Sequence, residues 1–242
     1  MELVSDDTVF ASVRSLVMAG EYLDDVPGTV VPAPGGGQHP GTGDGPCRRV
    51  YQRGTPEYLH ARQAGLLERL PVLSPAPADA VEEAENLIGC RLPSLLRRLY
   101  LEAGNGGFGP AYGMLGLRGG HRDDTGRGAL GLYREAHSPS SPHWSFLPAS
   151  LLPICHWGCG IYSFVDCSRP EGPVWGWDPN PGPVDRQALF PQPLLLAEWL
   201  DRWVRCELYQ PALVRDPDSR QWRGATEQEY AQWAAEMADP AS

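Results

Sequence analysis

Residues 82–107 read EEAENLIGCRLPSLLRRLYLEAGNGG and encode two short helices, separated by a stop and closed by a glycine turn. Apolar residues at spacings of three and four predict a first helix over Ala78–Ile88. Gly89 ends that helix, because glycine adopts the left-handed conformation that a helix end commonly requires. Pro93 suits the first position of the second helix, which residues 104–107 terminate. Two short amphipathic helices cannot bury both apolar faces alone, so a further layer must cover them.

A sheet should supply that layer, because short apolar segments follow the glycine turn. Segment 161–167 is rich in β-branched and aromatic residues, and segment 174–177 is closed by a Pro/Gly-rich turn. A helix with an apolar stripe returns near 194–208. The candidate strands are 112–117, 129–133, 152–157, 161–167 and 174–177. The order of helices, strands and a final helix predicts an α+β fold, with a mixed or antiparallel central sheet packed against helices.

Composition divides the chain into a central domain and two extensions. Helices are expected near 8–23 and 57–70, and Thr226 and Glu229 have the spacing of a capping box. The predicted units are an N-terminal helical extension at 1–31, a Gly/Pro-rich linker or loop at 32–46, the central domain at 47–210 and a C-terminal extension with a short helix at 211–242.

Short motifs in a fixed order carry a resemblance to a known family. In chain order they are Glu85-x-x-Ile88-Gly89-x-x-Leu92-Pro93, Asn105-Gly106-Gly107, Leu152-Pro153-Ile154, Gly158-x-Gly160, Val165-Asp166, Val174-Trp175 and Leu196-x-x-Trp199-Leu200. Over roughly residues 66–208 this order resembles the SUKH superfamily, the Smi/Knr-type domain. The chain departs from the family at Ile161, where a polar or acidic residue is common. The resemblance implies scaffold roles for Glu85, Gly89, Leu92, Pro93, Tyr100, Asn105, Gly106, Gly107, Gly160 and Asp166.

The resemblance also implies a function. Domains of this family are non-enzymatic binding domains. In bacteria they act mostly as immunity proteins that neutralise polymorphic toxins, and in fungi as cell-wall regulatory scaffolds. No catalytic residue, cofactor or metal comes with the family, so the chain is expected to bind a protein partner and not to be an enzyme. A regulatory or scaffold domain is the alternative, motivated by the two extensions.

The composition and charge of the chain limit its chemistry and the kinds of partner that it can bind. All 20 basic residues are arginine, which excludes a Walker A lysine and a lysine Schiff base and suggests a GC-rich bacterial genome. The formal net charge is -10, so nucleic-acid binding is not expected, whereas a basic toxin domain would be attracted. The same acidity also serves solubility alone. An acidic start and the lack of a long apolar run predict a cytoplasmic protein without membrane contact.

Two kinds of chemistry compete with the binding interpretation. Cys155, His156, Cys159 and Cys167 are possible zinc ligands, but the sequence has no C-x-x-C knuckle, and buried thiols in a strand core are preferred. A thiol hydrolase is the distant alternative. It would pair Cys159 or Cys155 with a histidine base, for which the candidates are His121, His137 and His143.

Candidate partner-binding residues lie in one loop and at strand ends. The Gly-rich segment 116–131 carries Arg122, Asp123 and Asp124 and is interpreted as a surface loop. The two aspartates could bind a cation, although a solvated loop is the preferred interpretation. Trp144 and Trp157 lie near predicted strand ends and are candidate exposed anchors, because interface hot spots favour tryptophan.

Overall fold

The computed structural model describes residues 4–29, 49–138, 147–182 and 186–238. The predicted linker at 32–46, His143 and Trp144 lie outside these residues. The helices are α1 (Asp6–Ala19), α2 (Pro56–Gln63), α3 (Ala78–Ile88), α4 (Ser94–Glu102), α5 (Ala129–Ala136), α6 (Leu196–Val204) and α7 (Glu227–Ala238). The strands are β1 (Asp25–Pro27), β2 (Val50–Gln52), β3 (Leu151–Gly158), β4 (Ile161–Asp166), β5 (Pro173–Trp177), β6 (Leu189–Leu195), β7 (Leu213–Arg215) and β8 (Trp222–Gly224).

Four strands form the central sheet, an antiparallel meander in the order β3-β4-β5-β6. Tyr162 pairs with Trp177 and Phe164 pairs with Trp175, so alternation places these four rings on one face. The pairs β1–β2 and β7–β8 form separate antiparallel ribbons. The fold is therefore α+β, as predicted, and its central sheet is antiparallel.

The other face of the sheet packs on helices. The Trp157 indole donates a hydrogen bond of 2.9 Å to the Ser163 hydroxyl and meets the ring of Trp199 in α6 edge to face. Helices α1, α3, α4 and α6 contribute their apolar stripes to the same core. Burying each large apolar side chain contributes about 1.5 to 3 kcal/mol, so these stripes hold the helices on the sheet.

The N-terminal segment is built into this core. Buried residues of α1, including Phe10 and Val13, lie in one cluster with Leu96 and Trp199. Arg53, which follows β2, donates hydrogen bonds to the carbonyls of Trp203 and Val204 at the end of α6. The packing of these residues joins the predicted N-terminal extension to the central domain, although the division at 31, 46 and 210 stays a prediction.

The stretch that opened the sequence folds as its pattern predicts, with one small correction. Helix α3 spans Ala78–Ile88 and ends at Gly89, whose φ of 80° is left-handed. Leu95, Leu96, Leu99 and Tyr100 form the buried stripe of α4. Pro93 does not occupy the first helical position. It lies one residue earlier, as the N-cap, with extended backbone.

Two predicted strands are wrong. Residues 129–133 form helix α5, in which Ala129, Leu130, Tyr133 and Ala136 are all buried at helical spacing. The apolar run was too short to distinguish the two periods. Segment 112–117 is not a strand either, because its one sheet contact is an isolated bridge between Met114 and Cys155.

Strand β6 was missed for a related reason. Its sequence LFPQPLL contains Pro191 and Pro193, which argue against a strand inside a sheet. However, β6 is an edge strand of the central sheet, where proline is tolerated. The closing helix consequently begins at Leu196, after β6, and ends at Val204.

Two other helices are shorter than the apolar periodicity indicated. The first helix ends at Ala19 and not near residue 23, and α2 ends at Gln63 and not near residue 70. The capping box is confirmed: the Thr226 amide donates to the Glu229 carboxylate at 2.8 Å, and the Glu229 amide donates to the Thr226 hydroxyl at 3.3 Å. Within the described ranges, no helix is both long and apolar enough to cross a membrane.

Candidate functional site

A glycine turn fixes the base of the loop that carries the candidate partner-binding residues. Asn105 is buried, and its side chain accepts a hydrogen bond from the Leu117 amide and donates one to the Arg118 carbonyl. Gly106 has a φ of 73°, and a Cβ there would lie 2.5 Å from the Met114 carbonyl oxygen. The turn therefore positions the start of the 116–128 loop. This loop is shorter than the predicted 116–131, because α5 begins at residue 129.

Asp123 holds the tip of the loop. One of its carboxylate oxygens accepts hydrogen bonds from the Thr125 amide at 3.0 Å, the Thr125 hydroxyl at 2.5 Å and the Arg127 amide at 2.9 Å. Burial by itself would raise the pKa of Asp123, but these hydrogen bonds and the Arg127 charge outweigh it and the pKa is lowered. Asp123 is therefore an anion that fixes the loop from inside.

Its neighbours in sequence face outward. Arg122 is exposed and reaches the Gly126 carbonyl at 3.4 Å. Asp124 is exposed, and its carboxylate lies 3.3 Å from Nδ1 of His156 in β3. The loop therefore presents Arg122 and Asp124 at the surface, while the buried Asp123 between them supports the loop.

A cleft of about 320 Å³ lies beside the loop. Arg127 borders it and is paired with Glu135 of α5 at 2.5 Å, with its other terminal nitrogen 3.4 Å from the Tyr162 hydroxyl. Burial raises the pKa of Tyr162 to about 12, so the hydroxyl stays protonated at neutral pH. The cleft is lined by Arg127, Leu132, Glu135, Ala136, Pro153, Gly160, Tyr162, Phe164, Trp177 and Pro179. Its floor is the aromatic face of the sheet, which suits an apolar or aromatic side chain.

Trp157 is placed elsewhere. It is half-buried, and its hydrogen bond to Ser163 and its contact with Trp199 direct it towards α6. The structure therefore groups Arg122, Asp123 and Asp124 in one loop but does not place Trp157 with them. Trp144 lies outside the described residues.

Four of the cysteines lack the character of a nucleophile. Burial raises the pKa of Cys155 well above its ordinary value, and burial likewise raises the pKa values of Cys90, Cys167 and Cys206. A nucleophilic cysteine needs a depressed pKa. These four cysteines therefore lend no support to a thiol hydrolase.

The possible zinc ligands Cys155, His156, Cys159 and Cys167 do not form a close group either. In the part of the chain that the structure describes, the one close group of three or more metal-ligating side chains is Asp123, Asp124 and His156. His156 stacks on Tyr162, with ring centroids 4.6 Å apart. Sequence reasoning missed this juxtaposition, because it depends on how the loop crosses β3.

Comparison with known proteins identifies the family. The sequence model of the SMI1/KNR4 family (SUKH-1) matches residues 75–202, more than half of the chain. The chain belongs to the SMI1/KNR4 family. No curated protein and no solved structure matches it significantly.

Several of the family-motif positions support the corner between α3 and α4 of this SUKH-1 domain. The Glu85 carboxylate accepts a hydrogen bond from the Leu92 amide at 3.2 Å and lies 3.4 Å from Arg97. Leu92 is buried, and Pro93 caps α4. Together with Gly89 these residues turn the chain from one helix into the next.

The remaining motif positions support the loop and the sheet of the SUKH-1 domain. Tyr100 is fully buried and donates a hydrogen bond of 2.8 Å to the Leu115 carbonyl, and the Gly107 amide donates to the Met114 carbonyl. Gly160 lies in the β3–β4 turn and borders the cleft. Burial would raise the pKa of Asp166, but hydrogen bonds from Ser168 outweigh it, and the pKa is lowered. All these contacts are within the domain.

Proposed function

We propose that this SUKH-1 protein is a bacterial immunity protein that binds a cognate toxin domain and blocks it by covering its surface. Membership of the SMI1/KNR4 family is consistent with an immunity role or a regulatory role. The proposal places the protein in the cytoplasm, without an enzymatic activity of its own. It assigns partner binding to the 116–128 loop and the adjacent cleft.

The observation that carries this assignment is the support given to the loop by Asp123. Three hydrogen bonds to one carboxylate oxygen hold the loop before any partner arrives. A surface that is already ordered loses less conformational entropy on binding than a disordered one. Arg122 and Asp124 are then available for polar contacts, and the cleft for an apolar anchor.

Charge favours a basic partner. The formal net charge of -10 would attract a basic toxin domain and accelerate its association at low ionic strength. The loop itself carries Arg118, Arg122 and Arg127 against Asp123 and Asp124, so the partner surface should also carry at least one acidic group, opposite Arg122. This pairing would contribute more to specificity than to affinity.

The test is rescue of cells that express a toxin gene from the same locus. Wild-type protein should restore growth, and a charge-reversed Arg122→Glu/Asp124→Arg variant should lose protection while remaining folded. Asp218→Arg is the matched control, because Asp218 is exposed in the β7–β8 turn, next to the opposite edge of the sheet. Wild-type protein that protects against no neighbouring toxin would refute the immunity role. Equal protection by all three proteins would refute the assignment of the loop.

A second candidate, a regulatory or scaffold role, is favoured by a separate groove. This groove of about 710 Å³ lies between β6 and the C-terminal extension, and about half of its lining residues lie outside the family match. Tyr209 and Tyr230 stack in it, 5.1 Å apart, close to Pro191 and Pro193. Such an aromatic groove would bind an extended, proline-containing peptide. Recovery of a stable complex from cells without a toxin locus, and its loss with Tyr209→Ala, would support this role over immunity.

A further inference from the structure

Three metal-ligating side chains converge beside the 116–128 loop. Asp123 and Asp124 come from the loop, and His156 comes from β3. Their ligand atoms all lie within 4.8 Å of one another. The Asp123 side chain is 0% exposed and the His156 side chain is 6% exposed, so two of the three groups are withdrawn from water.

Two buried polar atoms in this cluster have no hydrogen-bond partner. They are the second carboxylate oxygen of Asp123, Oδ2, and the ring nitrogen Nδ1 of His156. Arg127 Nε lies 3.8 Å from Asp123 Oδ2, which is too far for a hydrogen bond. Asp124 Oδ1 lies 3.3 Å from His156 Nδ1 but is not aligned for a hydrogen bond. Buried polar atoms are nearly always satisfied, so two unpaired atoms in one cluster of metal-ligating side chains require a partner such as an ion or a water.

The histidine ring is held in place by its neighbours. It stacks on Tyr162 with an interplanar angle of 21°, and the tilted ring of Tyr112 lies nearby at a centroid distance of 6.1 Å. The ring therefore has little freedom to turn Nδ1 away from the aspartates. Asp123 is equally constrained, because its other oxygen holds the loop.

We propose that Asp123, Asp124 and His156 bind a divalent transition-metal ion of the zinc class. Ligand atoms around a tetrahedral zinc ion are separated by about 3.3 to 3.6 Å, given bond lengths of about 2.0 to 2.2 Å. The distance of 3.3 Å between Asp124 Oδ1 and His156 Nδ1 matches this spacing. The exposed Asp124 can move to shorten its own distance to Asp123. Three protein ligands leave a fourth position for water.

The chemical types of the three ligands indicate which metal ions would bind. An imidazole nitrogen favours zinc, cobalt or nickel over magnesium and calcium, which prefer oxygen. Two carboxylates balance the double positive charge of the ion. The charge of Arg127 acts on Asp123 and weakens the site. Glu135 and the Thr125 hydroxyl bind its guanidinium at 2.5 and 2.6 Å, which offsets part of this effect.

The experiment is zinc titration of the purified full chain, free of tags and pre-treated with a chelator, followed by calorimetry. Wild-type protein should bind one zinc ion per chain. Asp124→Asn should weaken zinc binding at least about tenfold, the loss that even indirect contacts to a metal cause. Asp124 is exposed and makes no loop hydrogen bond in the described residues, so this variant should fold normally. His156→Gln should have the same effect where the variant folds.

Controls separate this site from other zinc ligands. Asp218→Asn removes an exposed carboxylate far from the cluster, and Cys159→Ser removes an exposed thiol. Both variants should bind zinc as the wild type does. The cobalt complex should lack the absorption band of a cobalt–thiolate bond. No saturable zinc binding by the wild type would overturn the proposal, as would binding that survives Asp124→Asn but is lost in Cys159→Ser.

Discussion

Replacing Arg53 with methionine should destabilise the whole protein, because Arg53 joins the segment after β2 to the end of α6. Its side chain is 4% exposed. It donates hydrogen bonds of 2.7 and 2.9 Å to the carbonyls of Trp203 and Val204, and lies 3.2 Å from the Asp24 carboxylate. The guanidinium also lies over the Trp203 ring, 4.7 Å from its centroid.

The magnitude follows from these contacts. Each hydrogen bond from the charged guanidinium to a buried carbonyl contributes about 1.5 kcal/mol or more. The ion pair with Asp24 adds less than about 1 kcal/mol, since the Asp24 side chain is 36% exposed and screened by solvent. Methionine recovers roughly 1 kcal/mol by burying its own apolar surface. We expect a net loss of about 3 kcal/mol in the free energy of unfolding.

Urea denaturation followed by tryptophan fluorescence measures this loss. The matched control is Arg62→Met, because Arg62 forms an ion pair with Glu21 at 3.1 Å but its side chain is 54% exposed. The control should lose about 0.5 kcal/mol or less. If Arg53→Met were no less stable than Arg62→Met, the argument that Arg53 anchors the segment after β2 to the core would be refuted.

Three further predictions test other parts of the domain. Gly106→Ala should cost at least about 2 kcal/mol in urea denaturation, because its backbone is left-handed and a Cβ would collide with neighbouring backbone. Gly131→Ala should be neutral or slightly stabilising, because Gly131 is helical and a Cβ there would make only an ordinary contact of 3.8 Å with Arg127. Tyr100→Phe should cost about 1 kcal/mol with an unchanged denaturant slope, because a buried carbonyl loses its donor; no change would contradict that hydrogen bond. The Arg223 hydrogen bond lowers the pKa of Glu229 to about 2 from 4.5. Because the folded pKa is depressed, the stability contributed by Glu229 is present above about pH 4.5 and is lost as the pH falls towards 2. The stability difference between wild type and Glu229→Gln should therefore shrink over that range, and a constant difference would refute the coupling.

Local sequence patterns correctly predicted the features that depend only on residues close together in the chain. Helix α3 and its stop at Gly89 follow from apolar spacing and from the freedom of glycine. The capping box at Thr226 and Glu229 needs four consecutive residues and no tertiary contact. The order of the short motifs predicted the family, because several motifs in a fixed order are more specific than any one of them.

Local signals failed where neighbours in space decide the outcome. The run at 129–133 became a helix because its buried residues cover one edge of the sheet, and the apolar pattern of a few residues does not distinguish the two periods. The prolines of β6 are accepted because that strand lies at an edge, which is a property of the sheet and not of the segment.

One part of the candidate site could likewise be predicted from the sequence, and another part could not. The sequence by itself determined that Arg122, Asp123 and Asp124 share a polar, Gly-rich loop, because residue types and spacing predict turns. Only the tertiary structure decided that Asp123 turns inward to hold the loop while Asp124 faces His156 across 3.3 Å. The reason is that residues 124 and 156 are far apart in the chain, and their approach depends on the path of the loop over β3. No periodicity in either segment encodes that path.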